Sequence, residues 1–173
     1  MNMATATDDP SARVAEVFTR IAATRMRDFP LSNPALAVEA VGFRAWEGLW
    51  VGVLVAPWSM LLLLMPTAAA PHAEFRVLPT GQEQSWRFPS GEYVFFGLDE
   101  AGLGPCQMCS LFSPVTQFAT QDDAVAVARE VMQSLFVAPG ARAGAQAAAQ
   151  PAEAASTWSR RDFFRGRSAR TAG

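Results

Sequence analysis

Between Leu49 and Met65 the chain runs for seventeen residues without a charged side chain, and this segment limits how the whole sequence can fold. A membrane-spanning helix needs about 20 apolar residues, so the run is at the short limit for a membrane span. Pro57 lies in its middle, and valines at alternate positions from 51 to 55 favour strand over helix. The run therefore predicts two buried β-strands that meet near Pro57 and Trp58, with a membrane-associated structural protein as the alternative.

Two amphipathic segments predict helices on either side of a β-like region. In the first, Asp9 can cap the helix, Pro10 suits its first position, and the helix should end by Phe29, before a proline. The second begins at Thr120, where Thr120 and Asp123 have the spacing of a capping box. The predicted packing faces are Val14, Val17, Phe18 and Ile21 in the first helix, and Ala124, Val127, Ala128, Val131 and Leu135 in the second.

Short apolar segments separated by turn residues fill the region between the helices. The predicted strands are Val38–Trp46, Leu49–Val55, Trp58–Met65, Glu74–Leu78, Ser85–Phe88, Glu92–Leu98 and Cys106–Phe112. Strands this short and this closely spaced favour antiparallel pairing. We therefore predict an α+β fold, an antiparallel β-sheet packed by an N-terminal helix and a C-terminal helix, with a disordered C-terminal tail.

Charge and composition divide the chain of 173 residues into a body and a tail. Residues 1–137 hold eight Arg and fourteen acidic residues, whereas residues 138–173 hold six Arg and two acidic residues. The residues from 139 to 157 are mostly Ala, Gly, Gln and Pro, which cannot bury a core. The predicted organisation is a flexible N-terminus (1–9), one domain (10–138), a linker (139–157) and a basic tail (158–173).

The N-terminus, the single histidine and the net charge argue against a secretory signal, a His-based catalytic site and nucleic-acid binding. The first nine residues have neither the basic region nor the apolar region of a signal peptide, so we expect a cytoplasmic protein without an integral membrane span. His72, the single histidine, lies in what reads as a solvent-facing loop, and no phosphate-binding Gly-rich loop is found. The net charge of -2 gives no reason to expect nucleic acid as a partner. We predict no enzymatic activity and no cofactor.

Cys106-Gln107-Met108-Cys109 is the one motif with reactive side chains. A CxxC pair can act in thiol-disulfide exchange or supply half of a metal site. Redox pairs lie at the start of a helix, but this pair enters a predicted strand, and a metal would need two further ligands. Ordinary, partly buried thiols are the favoured interpretation, and a thiol-redox or iron-handling protein remains the alternative.

The tail contains Ser159-Arg160-Arg161-Asp162-Phe163-Phe164-Arg165, which looks like the Ser/Thr-Arg-Arg-x-Phe-Leu-Lys consensus of twin-arginine export signals. A true signal is N-terminal and is followed by an apolar stretch, but polar residues follow here. Two interpretations stay open. The segment is either a disordered basic tail or a docking segment, with paired Arg for carboxylates and two Phe for an apolar groove.

Several short motifs occur in a recognisable order along the chain. They are Trp50-Val51-Gly52, Pro57-Trp58-Ser59-Met60, Met65-Pro66, Pro89-Ser90-Gly91, Cys109-Ser110-Leu111-Phe112-Ser113-Pro114 and the Arg-Arg-x-Phe tail. Their order and spacing resemble the HybE/HupJ-type NiFe-hydrogenase assembly chaperones over roughly residues 10–137 and 158–167. Cys106 is not part of that pattern, which weakens a metal or redox role for the cysteine pair.

The resemblance implies an accessory chaperone that binds hydrogenase subunit precursors before export, including one with a twin-arginine signal, together with other maturation factors. The residues to which it assigns partner binding are Trp50, Pro57, Trp58, Met60, Pro89, Gly91, Cys109, Ser110, Ser113, Pro114, Arg160, Arg161, Phe163 and Phe164. A twin-arginine signal offers Arg-Arg and apolar side chains, so its receptor needs an apolar groove and acidic residues. We hypothesise that the similar tail occupies this groove when no client is bound.

Overall fold

The computed structural model describes residues 8–140, which form two helices and one six-stranded sheet. In chain order the elements are α1 (Ser11–Ala23), β1 (Glu39–Trp46), β2 (Leu49–Val55), β3 (Met60–Pro66), β4 (Glu83–Phe88), β5 (Gly91–Leu98), β6 (Cys106–Phe112) and α2 (Gln121–Leu135). The strand order is β1-β2-β3-β6-β5-β4, and every neighbouring pair is antiparallel. The predicted α+β class with an antiparallel sheet is confirmed.

The uncharged run forms the centre of this sheet. β2 pairs with β3 along its whole length, from Leu49 opposite Pro66 to Val55 opposite Met60, and the turn between them contains Pro57. Both strands are almost completely buried. The prediction of two buried strands is confirmed, and no helix within residues 8–140 is long and apolar enough to cross a membrane.

The two helices cover opposite faces of the central strands, which explains why β2 and β3 are apolar at every position. Side chains alternate between the two faces along a strand. Val51 and Leu62 pack in a cluster with α2, whereas Leu54 and Leu63 pack in a second cluster with α1. A strand covered on both faces cannot place a charge on either face without burying it, and burial of an unpaired charge is costly.

The sheet curls until its two edge strands approach each other. Trp46, the last residue of β1, stacks on Phe88, the last residue of β4, with ring centroids 4.6 Å apart. Phe136, just after α2, contacts both rings edge-on at 5.8 and 6.0 Å. β1 is also bulged at Gly42, whose φ is 66°, a value that glycine adopts without strain. An aromatic cluster therefore joins the edges of the sheet beside the end of α2.

The helix boundaries differ in detail from those expected. α1 begins at Ser11, with Pro10 in the N-cap position, and Asp9 accepts a hydrogen bond from the Ser11 amide at 2.8 Å. It ends at Ala23, and the Thr24 hydroxyl donates to the Arg20 carbonyl at 2.7 Å. This local bond competes with continuation of the helix, so the residues up to Phe29 form turns.

The second helix follows its sequence signals closely. The Thr120 hydroxyl accepts a hydrogen bond from the Asp123 amide at 3.1 Å, so the predicted cap is confirmed. Of the predicted packing face, Val127 is only half-buried, and Val125 and Met132 are buried as well. The helix lies in the concave side of the curled sheet, so its buried face is wider than a single stripe.

The predicted strand Glu74–Leu78 is wrong. The segment has no regular structure, because side chains rather than a neighbouring strand bind its backbone. The Glu74 carbonyl accepts from the Gln84 amide at 2.7 Å, and the Arg76 carbonyl accepts from the Gln107 amide at 2.8 Å.

Candidate functional site

Two of the family-like motifs meet at one end of the sheet. The turn that contains Pro57 and Trp58 joins β2 to β3, and β6 runs beside β3 and ends next to this turn, with Met60 opposite Phe112. The Ser113-Pro114 peptide follows immediately and is cis. Motifs that are about fifty residues apart in the sequence are therefore neighbours in the fold.

A buried asparagine holds these segments together. The backbone amide of Asn33 donates to the Pro57 carbonyl at 2.7 Å. Its side-chain amide nitrogen donates to the backbone carbonyls of Val115 and Phe118 at 3.0 and 2.8 Å. Each of these carbonyls belongs to an irregular segment, where buried backbone groups need partners. Asn33 thus fixes the loop before β1, the β2–β3 turn and the loop after β6 in one arrangement.

We call this region the motif end and define it as Pro57, Trp58, Ser113 and Pro114, together with Leu31, which lies two residues before Asn33. Pro57 and Trp58 are half-buried, Ser113 and Pro114 are exposed, and Leu31 is 51% exposed. Exposed apolar residues on rigid turns are typical of a binding surface. The motif end presents such a surface to solvent.

Met60 and Cys109 lie beneath this surface and not on it. Met60 is fully buried and Cys109 is 7% exposed, and both pack in the cluster with α2. Ser110, between Cys109 and Leu111, points the opposite way and is exposed. Any part that Met60 and Cys109 take in binding is therefore through support of the exposed turns.

Trp50 lies away from the motif end and holds the start of the chain. Its indole N–H donates to the Asp8 carboxylate at 3.2 Å, and the same carboxylate oxygen accepts from the Ala68 amide at 3.0 Å. The amide of Ala68 and the indole of Trp50 hold the pKa of Asp8 below its usual value. Trp50 is 9% exposed, so its side chain offers little surface to a partner. Its main effect is to hold the segment at Asp8 in place.

Pro89 and Gly91 lie in the β4–β5 turn, which reaches the end of α2. The Ser90 amide donates to the Leu135 carbonyl at 3.2 Å, and the hydroxyls of Ser90 and Tyr93 are 2.6 Å apart. Pro89 is exposed, and Gly91 has a φ of 149°. This turn is joined to α2 and not to the motif end. The candidates in the tail, Arg160, Arg161, Phe163 and Phe164, lie outside the described residues.

The two cysteines face away from each other. Cys106 packs in the cluster with α1 and Cys109 in the cluster with α2, on opposite faces of β6. Burial raises the pKa of Cys106 to about 12 and that of Cys109 to about 11. A disulfide needs Cβ atoms about 4 Å apart, and opposite faces do not allow this. A thiol-redox function for this pair therefore has no support in its geometry.

A potential metal site is equally without support in the described part of the chain. Within residues 8–140, no group of three or more His, Cys, Asp or Glu side chains is placed to hold an ion. His72 lies in an exposed loop, as the sequence predicted, but its own side chain is half-buried. Its ring meets Trp86 edge-on at 5.1 Å, and its Nδ1 accepts from the Glu74 amide at 3.1 Å.

Gln107 is a structural residue that sequence reasoning missed. Its side chain is fully buried, accepts from the Trp86 indole at 2.8 Å, and donates to the Gln84 side chain at 2.9 Å as well as to the Arg76 carbonyl. All of its polar atoms have partners, as a buried amide requires. The only signal in the sequence was a polar residue inside a predicted strand, which reads equally well as an exposed position.

Comparison with known proteins defines the class of this fold and site. A family model described as "[NiFe]-hydrogenase assembly, chaperone, HybE" matches residues 9–166. The class is that of assembly chaperones for [NiFe] hydrogenases. The chain belongs to the HybE family, as the motif order indicated.

Relatives with similar names support this membership. The chain is 39% identical over 155 residues to "Hydrogenase expression/formation protein HupJ" of Bradyrhizobium diazoefficiens, covering 88% of this chain and 85% of that protein. It is 39% identical over 146 residues to "Protein HoxT" of Cupriavidus necator, covering 77% and 79%. It is 44% identical over 128 residues to "Probable rubredoxin HupJ" of Rhodobacter capsulatus, covering 74% of this chain but 45% of that protein.

A solved structure shares the fold. The solution structure of HybE from Escherichia coli matches with a TM-score of 0.60 and 22% identity, covering 75% of this chain and 78% of that one. At this identity the similarity is one of fold.

Proposed function

We propose that this protein is a non-catalytic cytoplasmic chaperone that binds hydrogenase subunit precursors before export, including one with a twin-arginine signal. The observation that carries the proposal is the exposed motif end, where family motifs distant in sequence form one partly apolar surface on rigid turns. Family membership supports an assembly role. The same surface would also be available to other maturation factors.

Electrostatics supports a basic client. Residues 8–140 contain eight Arg and fourteen acidic residues, a formal charge of -6. A field of this sign attracts a segment that contains paired Arg and accelerates its encounter with the domain. Apolar side chains at the motif end, such as Trp58 and Leu31, then supply contacts that salt does not screen.

The division of the chain into a domain, a linker over 139–157 and a tail over 158–173 belongs to the same proposal. Arg160, Arg161, Phe163 and Phe164 repeat the residue types of a twin-arginine signal. We propose that the tail competes with the client signal for the acidic domain. The alternative is that the tail binds a second maturation factor.

Co-purification of the tagged chain with a hydrogenase subunit precursor tests the motif end. Trp58→Ser and Leu31→Ser should each reduce the amount of precursor recovered several-fold, because both remove apolar contact area from the exposed turns. Val77→Ser is the matched control, since Val77 is 73% exposed and lies outside the motif end. Unchanged recovery with both variants, each folded by circular dichroism, would show that the motif end does not bind the precursor.

Removal of residues 156–173 tests the tail. If the tail competes with the client, the truncated protein should bind a labelled twin-arginine signal peptide more tightly than the full chain. If the tail instead binds a maturation factor, peptide affinity should stay the same and hydrogenase assembly should be lost. Equal affinity with normal assembly would contradict both interpretations of the tail.

A further inference from the structure

One half of the sheet has a face that no described element covers. The cluster beneath α1 takes its sheet residues mainly from β2 and β3, such as Trp50 and Leu63, and includes Cys106 of β6. Buried and exposed residues alternate along β4 and β5. The buried residues point to the α2 side, so the exposed residues lie on the face that α1 covers elsewhere in the sheet. We call the uncovered surface the open face and define it as Glu83, Ser85, Val94, Phe96 and Ser110, together with Met108, which borders it and packs against the cluster beneath α1.

An apolar strip crosses the open face. Val94 and Phe96 point the same way from β5 and are 40% and 38% exposed. Phe96 lies directly opposite Met108 of β6, which is itself only half-buried. Val94, Phe96 and Met108 are therefore neighbours on one face of the sheet and form a continuous patch. Such a patch differs from the single exposed apolar residues that are common on any protein.

Beyond the apolar strip, β5 and β6 are no longer paired with each other. The two strands pair only through Phe96–Leu98 with Cys106–Met108, although both continue for several residues. The rest of the β4–β5 hairpin bends toward α2, where Ser90 bonds to Leu135. Ser110, in a family-like motif, lies beyond the paired part of β6 and is exposed.

A carboxylate with no ion-pair partner among residues 8–140 borders the apolar strip. Glu83 lies directly opposite Phe96 in the β4–β5 register, so its side chain is a same-face neighbour of the exposed ring. Glu92 forms an ion pair with Arg87 at 3.4 Å, but neither ion pair within residues 8–140 includes Glu83. The open face thus offers a negative group next to exposed aromatic and aliphatic surface.

We infer that the open face binds the Arg-Arg-x-Phe segment of a client signal in an extended conformation. One guanidinium pairs with Glu83, and the aromatic side chain two residues further on packs on Phe96 and Val94, since alternate residues of an extended segment share a face. The inference rests on the proposed binding of a twin-arginine precursor. It gives the signal a site separate from the motif end, which remains available to the rest of the precursor.

The charge of the domain favours this occupant over a second copy of the chain. Residues 8–140 carry a formal charge of -6, so two copies face to face would repel each other, whereas a diarginine segment is attracted.

The test is fluorescence anisotropy with the full-length chain and a labelled synthetic peptide that contains Ser-Arg-Arg-x-Phe-Leu-Lys. Phe96→Thr, which removes the ring but places a residue of high strand propensity at this position, should raise the dissociation constant about tenfold. Glu83→Gln should raise it about threefold at low salt and much less at high salt, because it removes only a screened charge contact. Val77→Thr is the control and should leave affinity unchanged. Thermal melts must show that each variant is folded.

The outcomes separate the surface from the proposed function. If the wild-type chain does not bind the peptide, recognition of the signal is itself wrong, and the open-face site with it. If the wild type binds and both open-face variants bind equally well, the open face is wrong and signal recognition stands. If sedimentation shows a dimer that Phe96→Thr dissociates, the open face is an interface between copies and the inference is overturned.

Discussion

Gly52 lies directly against the ring of Phe43 on the neighbouring strand. A Cβ atom at position 52 would stand 2.2 Å from Phe43 Cδ2, far inside van der Waals contact. Phe43 packs in the cluster beneath α1, and its ring fills the space that any side chain at position 52 would occupy. The glycine of the Trp-x-Gly motif is therefore required by a packing contact between β1 and β2.

Gly52→Ala should destabilise the protein by about 1–3 kcal/mol, the usual cost of overpacking a core. The cost should fall in a Phe43→Ala background, where the ring is absent. Urea unfolding of the two single variants and the double variant measures this difference. Gly140→Ala is the control, because a Cβ there meets nothing within 4 Å. An equal cost of Gly52→Ala in both backgrounds would contradict the contact.

The stacked rings of Trp46 and Phe88 should contribute to stability as a pair, since they join the two edges of the sheet. Phe88→Ala should cost about 3–5 kcal/mol, because Phe88 is almost completely buried. A double-mutant cycle with Trp46→Ala should give a coupling energy of about 0.5–1.5 kcal/mol. Strict additivity of the two substitutions would mean that the edges do not support each other.

Gln107→Leu should destabilise the protein by about 1–3 kcal/mol for each buried polar group that it leaves without a partner. Those groups include the Trp86 indole N–H and the Arg76 carbonyl. Hydrogen exchange should also accelerate in residues 72–78, which Gln107 and Gln84 hold over the sheet. Gln117→Leu, at an exposed loop position, is the matched control. A stable Gln107→Leu protein with unchanged exchange would refute this network.

Neither cysteine should react with a thiol reagent at pH 8 while the protein is folded. Cys106 and Cys109 are buried, and burial holds both pKa values well above this pH, so the reactive thiolate is scarce. Ellman's reagent should titrate two thiols quickly in denaturant and neither in buffer over the same time. Rapid reaction of one thiol in buffer would show that its side chain is accessible.

The same burial predicts a loss of stability at alkaline pH. Folding raises the pKa of the Cys106 thiol from 9.0 to about 12. The contribution of this buried thiol to the free energy of unfolding is therefore fully present below pH 9.0, and it is lost as the pH rises toward about 12. The chain has no lysine and a single tyrosine, so few other groups titrate in this range. The free energy of unfolding should fall between pH 9 and pH 11, and less steeply in Cys106→Ala. Parallel slopes would contradict the assignment.

The sequence by itself determined the elements of this fold. The uncharged run from Leu49 to Met65 predicted two strands covered on both faces, because only such strands are apolar at every position. The Thr120 cap predicted the start of α2 to the residue. These features depend on the chemistry of neighbouring residues, which the sequence displays. The predicted strand Glu74–Leu78 failed because its apolar residues are held from a distance, by Gln84 and Gln107.

Only the tertiary structure decided which of these elements meet. No sequence pattern placed β6 between β3 and β5, yet this order brings the end of β6 beside the β2–β3 turn and creates the motif end. The sequence also could not show that Trp46 stacks on Phe88. Strand order and sheet curl depend on the packing of many side chains that are distant in the sequence. A local sequence pattern therefore cannot predict them. The open face exists for the same reason, since α1 covers β2 and β3 but leaves Phe96 exposed.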